Sequence, residues 1–175
     1  MPTLHFVCGP IGAGKTTYAI ALANRVKAVR LSADEWMGNL FAADRPVTEA
    51  PAWVIERALR CEGQMWALAE QLVLRGIHVV FDINPSRQED RDRFRARASE
   101  TPAEIKLHYL DVDRDIRRAR VRRRNAQHTS AVVFQVSEPM FDASEASFEP
   151  PTDDELYGAM IVCCDGLPGD PAVVS

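Results

Sequence analysis

Apolar residues follow two different spacings along this chain. Short, nearly continuous apolar runs predict five strands, at 4–8, 28–32, 77–82, 104–112 and 158–164. Longer stretches with helical spacing or a polar surface predict helices at 15–26, 51–76, 86–100, 113–124 and 137–148. Strands that alternate with helices form β-α-β units, so the pattern predicts an α/β fold with a five-stranded parallel sheet.

A few residues predict where elements begin and where the chain is loose. Ser86, with Glu89 three residues later, has the pattern of a capping box and predicts the start of a polar helix. Residues 125–136 and 149–157 are predicted to be the most mobile connections, and the tail 166–175 a frayed end. In parallel sheets ligands bind at the carboxyl ends of the strands, so the chemistry is expected in the residues that follow each strand.

Length and composition indicate one globular domain. The chain has 175 residues, 46% hydrophobic and 26% charged, which predicts a single domain over residues 1–165. No run of 18 apolar residues occurs and the first residues do not resemble a signal peptide, so we expect a cytoplasmic protein without a membrane span. The cysteines form no C-x-x-C pair that would predict zinc. The histidines of the strand-like runs are predicted to be structural: His5, His78 and His108.

Residues 9–17 read GPIGAGKTT and stand between the first predicted strand and the first predicted helix. They fit G-x-x-x-x-G-K-[ST], in which backbone N–H groups and the N-terminus of the following helix hold the phosphates of a nucleotide. In this pattern Lys15 reaches the β- and γ-phosphates and the Thr16 hydroxyl ligates Mg²⁺. We therefore predict that ATP with Mg²⁺ is bound by Gly9, Pro10, Ile11, Gly12, Ala13, Gly14, Lys15, Thr16 and Thr17.

Acidic residues follow the second and third predicted strands. Asp34, in LSADEW, is predicted to contact the acceptor and to be the base that takes the proton of an attacking hydroxyl. The alternatives are that Asp34 or Glu35 caps the next helix or simply lies in solvent. Asp82 ends the apolar run VVFD and is predicted to bind Mg²⁺ directly or through water. Trp36 is predicted to line the acceptor pocket, with packing beneath a loop as its alternative.

The residues after the third strand are candidates for binding the acceptor. Asn84 and Arg87 are predicted to contact it, and their alternatives are a turn-forming role and surface charge. Arg91 lies one helical turn beyond Arg87, but an ion pair with a nearby acid is the stronger prediction for it. The acceptor is thus expected between Asp34, a loop over residues 36–50 and residues 84–91.

Charge is distributed unevenly although the net charge is only −4. Residues 113–124 hold seven arginines against two aspartates, whereas residues 125–175 hold nine acids and no Lys or Arg. Arg117, Arg120 and Arg124 share one helical stripe. Because phosphoryl transfer needs positive charge around the moving group, we predict a helical arginine-rich lid over about 113–136, with Arg120 and Arg124 as the catalytic arginines. The alternative is a basic face paired with the acidic region that follows.

Taken together, these motifs resemble the AAA-like group of small P-loop kinases, which is similar to polynucleotide 5′-kinases, zeta toxins and chloramphenicol phosphotransferase. The resemblance covers residues 3–165. It rests on GPIGAGKT (9–16), LSADEW (31–36), VVFDIN (79–84), DRDIRRARVRRRN (113–125) and VSEPMFDASEASFEPPTDDE (136–155). It implies the three-layer P-loop NTPase sandwich, ATP with Mg²⁺, transfer of the γ-phosphate to a hydroxyl and Asp34 as the base. It does not identify the acceptor.

Three functions are consistent with the sequence. The first hypothesis is a kinase whose acceptor is a hydroxyl of a small molecule or metabolite. The second is a polynucleotide 5′-hydroxyl kinase, which the lack of a broad basic surface outside the predicted lid disfavours. The third is a nucleotide-binding regulator or slow NTPase, for which the sequence offers no water-orienting residue besides Asp34. ATP against GTP and the oligomeric state stay open at this point.

Overall fold

The computed structural model describes residues 1–46, 48, 51–127 and 135–163. Its strands are β1 (Thr3–Cys8), β2 (Val29–Ser32), β3 (Val79–Asp82), β4 (Glu104–Asp111) and β5 (Met160–Cys163). They form one parallel sheet in the order β2-β3-β1-β4-β5. The predicted sheet is therefore confirmed, and the strand before the phosphate loop lies at its centre.

Helices connect the strands and cover both faces of the sheet. They are α1 (Lys15–Val26), α2 (Ala33–Phe41), α3 (Pro51–Leu74), α4 (Gln88–Ser99), α5 (Arg114–Gln127), α6 (Glu138–Ser147) and α7 (Asp153–Leu156). The predicted helices are present with ends shifted by a few residues, whereas α2 and α7 were not predicted. Predictions for residues 128–134 and 166–175 lie outside the described residues.

Side chains of the central strands alternate between two hydrophobic cores. One face of β1 packs against α3 and α4, in a core that includes Leu4, Phe6, Met65, Trp66, Phe81 and Phe94. The other face packs against α1, in a core that includes Val7, Tyr18, Leu22, Val80 and Leu110. Each large apolar side chain buried in this way contributes about 1.5–3 kcal/mol. The result is a three-layer α/β sandwich whose central strands are covered on both faces.

Helix α2 begins directly where β2 ends, so the predicted loop over residues 36–50 is wrong in its first part. Residues 36–41 are helical, and Ala42–Asp44 form a short 3₁₀ turn. Ser32 caps α2, because its hydroxyl accepts a hydrogen bond from the backbone N–H of Glu35 at 3.4 Å. The capping role considered for Asp34 or Glu35 therefore belongs to Ser32, and Asp34 lies in the first helical turn.

The predicted capping box at Ser86 is also wrong. Helix α4 begins at Gln88. Arg87 is therefore the residue at the N-cap position, and its side chain forms no capping hydrogen bond. The backbone N–H of Gln88 instead donates to Oε2 of Glu149 at 2.8 Å, and the N–H of Glu149 donates to the carbonyl of Ser86 at 2.9 Å. A residue far along the chain thus satisfies a helix terminus that the local sequence pattern assigned to its own serine.

Residues 149–157 are ordered by a short helix rather than forming the loose connection that was predicted. In α7, Thr152 and Glu155 form a capping box, in which each side chain accepts from the other residue's backbone N–H. Glu155 is buried, with only 7% of its surface exposed. Its carboxylate is therefore available for a buried ion pair, which is described with the site below.

The buried histidines form a hydrogen-bonded chain between the sheet and α1. Nδ1 of His5 lies 2.9 Å from Nε2 of His108, and the Tyr18 hydroxyl lies 2.8 Å from Nδ1 of His108. Burial lowers the pKa of His5 to about 4 and that of His108 to about 3. Nδ1 of His78 accepts from the backbone N–H of Thr3 at 3.1 Å. These contacts agree with the structural role predicted for the three histidines.

Candidate active site

The phosphate loop, residues 9–14, joins β1 to α1 at the carboxyl end of the sheet. Gly12 and Gly14 have φ values of 78° and 95°, in the left-handed region that glycine adopts without a Cβ clash. Nζ of Lys15 donates to the carbonyl oxygens of Gly9 at 2.7 Å and Pro10 at 3.0 Å. Desolvation lowers the pKa of this ammonium group to about 8. Lys15 therefore bonds two backbone oxygens of the loop, and a nucleotide phosphate can replace these oxygens as its partner.

Thr16 and Asp82 bring a hydroxyl and a carboxylate together beside the loop. Thr16 stands in the first turn of α1 and Asp82 at the end of β3, and Oγ1 of Thr16 lies 3.4 Å from Oδ1 of Asp82. Asp82 is buried, and desolvation raises its pKa above the ordinary value. Hard oxygen donors of this kind suit Mg²⁺, which keeps several waters and uses few protein ligands when phosphates complete its shell. The pair thus fits the metal site that the sequence predicts.

Arg30 holds the second oxygen of the Asp82 carboxylate. Its Nη1 donates to Oδ2 of Asp82 at 2.7 Å, and its Nη2 forms an ion pair with Glu35 in the first turn of α2. β2 lies beside β3 in the sheet, with Arg30 opposite Val80 and Ser32 opposite Asp82, so Arg30 projects from the same face as Asp82. The sequence analysis did not select Arg30. The signal that could have found it is a single charged residue inside the short apolar strand AVRLS.

Asp34 lies at the same edge of the sheet as Asp82 and Lys15. It is exposed in the first turn of α2, and its negative charge contributes to raising the pKa of Asp82 and opposes the lowering of the pKa of Lys15. Its predicted role as the base stays a prediction. Trp36 is only partly buried and packs against the core beneath α3 and α4. This placement favours the packing alternative for Trp36.

The loop after β3 carries the other two predicted acceptor contacts. Asn84 and Arg87 are both exposed, and Arg87 is the residue that precedes α4. Between them, the carbonyl of Pro85 accepts from the Cys8 thiol at 3.6 Å, which links this loop to the strand before the phosphate loop. The structure thus presents both side chains to solvent near the carboxyl end of the sheet, and their contact with an acceptor stays a prediction.

A buried arginine fastens the C-terminal segment to this loop. Arg91 donates from Nε and Nη2 to the two carboxylate oxygens of Glu155, at 2.7 and 3.0 Å. It also donates to the carbonyls of Pro85 at 3.3 Å and Glu149 at 2.9 Å. The ion pair expected for Arg91 is therefore present, and it fixes the segment from 149 to 155 against the start of α4.

Helix α5 packs directly on the outside of the phosphate loop. Arg117, 6% exposed, donates to the carbonyls of Val112 at 2.8 Å and Ile11 at 3.2 Å. Arg120 donates from Nη1 to the carbonyl of Ala13 at 3.2 Å. Arg124, one turn further, is exposed. The predicted stripe of arginines therefore faces the loop at its first two members, and α5 lies against the phosphate loop from Arg117 to Arg120.

The acidic helix α6 forms ion pairs with four arginines of α5. Its acids form ion pairs with arginines spaced by three or four residues: Arg114 with Asp142 and Glu145, Arg117 with Glu145, Arg118 with Asp142 and Glu138, and Arg122 with Glu138. The alternative considered for the arginines, a basic face paired with the following acidic region, thus holds for these four. It holds together with the loop contacts of Arg117 and Arg120.

Comparisons with known proteins place the chain in a family. The sequence profile of a family described as an AAA domain matches residues 4–151, and the chain belongs to this family. The match confirms the resemblance to the AAA-like group of small P-loop kinases. A comparison with curated protein sequences gives no significant match.

Solved structures confirm the P-loop fold. A gluconokinase from Sinorhizobium meliloti 1021 has a TM-score of 0.60 at 16% identity, over 95% of this chain and 85% of the other. Kti12 from Chaetomium thermophilum, in complex with ADP-AlF3, has a TM-score of 0.67 at 15% identity, over 93% and 89%. The Mycobacterium tuberculosis APS kinase CysC, in complex with AMPPNP and APS, has a TM-score of 0.60 at 14% identity, over 95% and 90%.

The described residues leave few protein ligands for a metal ion. No group of three or more His, Cys, Asp or Glu side chains within them is arranged to hold a metal ion. A cation at Thr16 and Asp82 would therefore depend on phosphate oxygens and water for most of its ligands. Among the same residues, no helix has the length and apolar character needed to cross a membrane.

Proposed function

We propose that this protein is an ATP-dependent kinase that transfers the γ-phosphate to a hydroxyl group of a small molecule. The observation that carries the proposal is the convergence of three groups at one edge of the sheet. These are Lys15 on the phosphate loop, the pair of Thr16 and Asp82 at 3.4 Å, and Asp34 in the first turn of α2. They supply the phosphate contact, the metal ligands and the base that phosphoryl transfer to an alcohol needs.

Each group has a defined role in the proposed reaction. Backbone N–H groups of the loop and Lys15 would bind the phosphates, and Thr16 and Asp82 would hold Mg²⁺, which neutralises charge on the phosphate oxygens when bound. Asp34 would orient the acceptor hydroxyl and take its proton. Arg120 and Arg124 would place positive charge near the γ-phosphate from the side of α5. Asn84 and Arg87 would contact the acceptor from the loop after β3.

The pairing of the arginines favours a small acceptor over a polynucleotide. A nucleic-acid surface needs arginines that are available to phosphates along a strand. In α4, however, Arg93 pairs with Glu62, Arg95 with Asp92 and Arg97 with Glu70. In α5, four arginines pair with α6. The positive charge of these α4 arginines, and of four of the seven arginines of α5, is therefore offset by acids within the protein. The names gluconokinase and APS kinase, carried by two proteins of the same fold, also describe small-molecule kinases.

The test is a transfer assay with γ-labelled ATP and Mg²⁺. Pools of sugars, nucleosides, amino alcohols, antibiotics with free hydroxyls and 5′-hydroxyl oligonucleotides serve as acceptors. We expect label in one small-molecule pool. Asp34→Asn should lower the transfer rate about 10²–10⁴-fold, the range for loss of a general base. Asp154→Asn is the matched control, because Asp154 is also an exposed second residue of a capped helix, α7.

The possible results separate the three functions. Label in the oligonucleotide pool alone would replace the small-molecule acceptor by a strand end. Label released only as free phosphate, at a rate that no pool changes, would support a slow NTPase instead of a kinase. Equal rates for Asp34→Asn and Asp154→Asn would remove Asp34 from the role of base.

A further inference from the structure

Arg30 joins two carboxylates that belong to different parts of the candidate site. Its side chain is 16% exposed and projects from β2. One end of the guanidinium bonds the buried Asp82 carboxylate at the end of β3, and the other end pairs with Glu35, which is 55% exposed in the first turn of α2. A planar guanidinium can serve two carboxylates in a fixed geometry, which a lysine ammonium on a flexible chain does less well.

The two oxygens of Asp82 have different partners. Oδ2 accepts from Arg30 at 2.7 Å, whereas Oδ1 faces the Thr16 hydroxyl at 3.4 Å. Rotation of the carboxylate would break the shorter, charge-assisted bond. Arg30 therefore fixes which oxygen is directed toward Thr16. Partners that orient a metal-binding carboxylate in this way commonly change metal affinity when they are removed.

We propose that Arg30 is a positioning residue for the metal site: it holds Oδ2 of Asp82 so that Oδ1 and Thr16 together receive the cation that accompanies the nucleotide. This inference rests on the proposed function, since it assumes that Thr16 and Asp82 bind that cation. It adds a residue that touches neither the cation nor the acceptor and acts through Asp82.

Glu35 explains how the Arg30 guanidinium can lie beside the metal-binding carboxylate of Asp82 without cancelling the negative charge of the site. Arg30, Asp82 and Glu35 together keep one net negative charge, because Glu35 offsets the guanidinium. Glu35 also follows Asp34 directly in the chain, so the same guanidinium ties the metal carboxylate to the helical turn that carries the proposed base. The position of α2 and the orientation of Asp82 are therefore coupled through Arg30.

The test measures metal affinity rather than turnover. Mn²⁺ serves as the probe for Mg²⁺, and its binding to the protein in the presence of saturating ADP is followed by electron paramagnetic resonance. We expect Arg30→Gln to weaken Mn²⁺ binding about 10–100-fold, the range for loss of an outer-shell partner. ADP affinity measured with EDTA should change less than threefold. Arg30→Lys should lose less Mn²⁺ affinity than Arg30→Gln, because lysine keeps a positive charge beside Asp82 although it lacks the planar guanidinium.

The matched control is Arg60→Gln, which removes an exposed arginine paired with Glu56 on α3. It should leave Mn²⁺ and ADP affinity unchanged. Unchanged Mn²⁺ affinity in Arg30→Gln, or a parallel loss of Mn²⁺ and metal-free ADP affinity, would overturn the positioning role. Wild-type protein that binds no Mn²⁺ with ADP would overturn both this inference and the proposed metal site. Wild-type protein that binds Mn²⁺ with ADP but phosphorylates no acceptor would refute only the kinase.

Discussion

The contact between α5 and the phosphate loop predicts an unusual cost for a methyl group at Gly12. A Cβ at this position would lie 2.7 Å from the carbonyl oxygen of Arg117 and 3.0 Å from Cγ2 of Val121. The first of these atoms belongs to the backbone of α5 and cannot move alone. Arg117 is also held by its own side chain, through Ile11 and Glu145. We therefore predict that Gly12→Ala strains both the loop and the helix.

The expected loss of stability follows from comparing Gly12 with Gly14. Gly12 and Gly14 both have left-handed φ values, a conformation that costs an L-residue roughly 1–2 kcal/mol. At Gly14 the nearest atom to an added Cβ is Nη1 of Arg120 at 3.9 Å, so only this backbone cost applies. Gly12→Ala adds an overpacking cost of about 1–3 kcal/mol. We expect losses of about 1–2 kcal/mol for Gly14→Ala and about 2–5 kcal/mol for Gly12→Ala.

The control is a glycine inside a helix with space around it. Gly63 lies within α3, and an added Cβ there meets nothing within 4 Å. Gly63→Ala should stabilise the protein by about 0.5–1 kcal/mol, because alanine is the better helix former. The free energy of unfolding of the three variants is measured by urea denaturation at pH 7.5, with ADP binding measured alongside.

One result would refute the reasoning about α5. If Gly12→Ala costs no more than Gly14→Ala, the helix yields to the added methyl group at little cost. In that case α5 would not be a fixed wall at Arg117, and the whole arginine-rich region could move as the lid that the sequence predicts. A larger cost for Gly12→Ala would restrict any lid movement to the chain beyond Arg120.

Two further predictions concern buried charge. Burial lowers the pKa of His5 and His108, whereas the unfolded chain has ordinary values near 6.5, so below that pH the folded state binds fewer protons than the unfolded state. The free energy of unfolding should therefore be highest above pH 6.5 and fall by roughly 2 kcal/mol per histidine by pH 5. Urea titrations at several pH values measure this loss, and a loss that began only below pH 4.5 would contradict the prediction. Arg91→Met should cost about 3–5 kcal/mol, because the buried Glu155 carboxylate would keep only the longer 3.5 Å contact with Arg95 as an ion pair. Arg60→Met should cost at most about 1 kcal/mol at an exposed pair, and equal losses in denaturation would contradict this difference.

The sequence was sufficient for those parts of the site that depend on local pattern and on strand ends. The phosphate loop is contiguous, so Gly14, Lys15 and Thr16 could be identified by their spacing alone. Asp34 and Asp82 could be placed together because parallel strands end at the same edge of the sheet. The fold class followed for the same reason, since alternating strands and helices allow few arrangements.

Side-chain partners that are distant in the chain could not be predicted from the same information. The pairing of Arg30 with Asp82 depends on β2 lying beside β3, and strand order is set by packing of the whole sheet rather than by either strand. The capping box at Ser86 is an error of the opposite kind, because a contact was predicted that the structure does not contain. The local pattern was present, but α4 begins two residues later, at Gln88, and Glu149 from far along the chain accepts from the N–H of Gln88.

The arginines of α5 show how helical phase divides one charged segment between two tasks. Arg114, Arg118 and Arg122 are spaced by four residues and meet the acids of α6, which places their charge in ion pairs that hold the two helices together. Arg117 and Arg120 lie on the adjacent stripe and donate to carbonyls of the phosphate loop. These pairs account for three of the acids after residue 124: Glu138, Asp142 and Glu145. Among the contacts of the described residues, it is Arg117 and Arg120 that reach the loop, so their stripe is the better candidate for the proposed role toward a nucleotide.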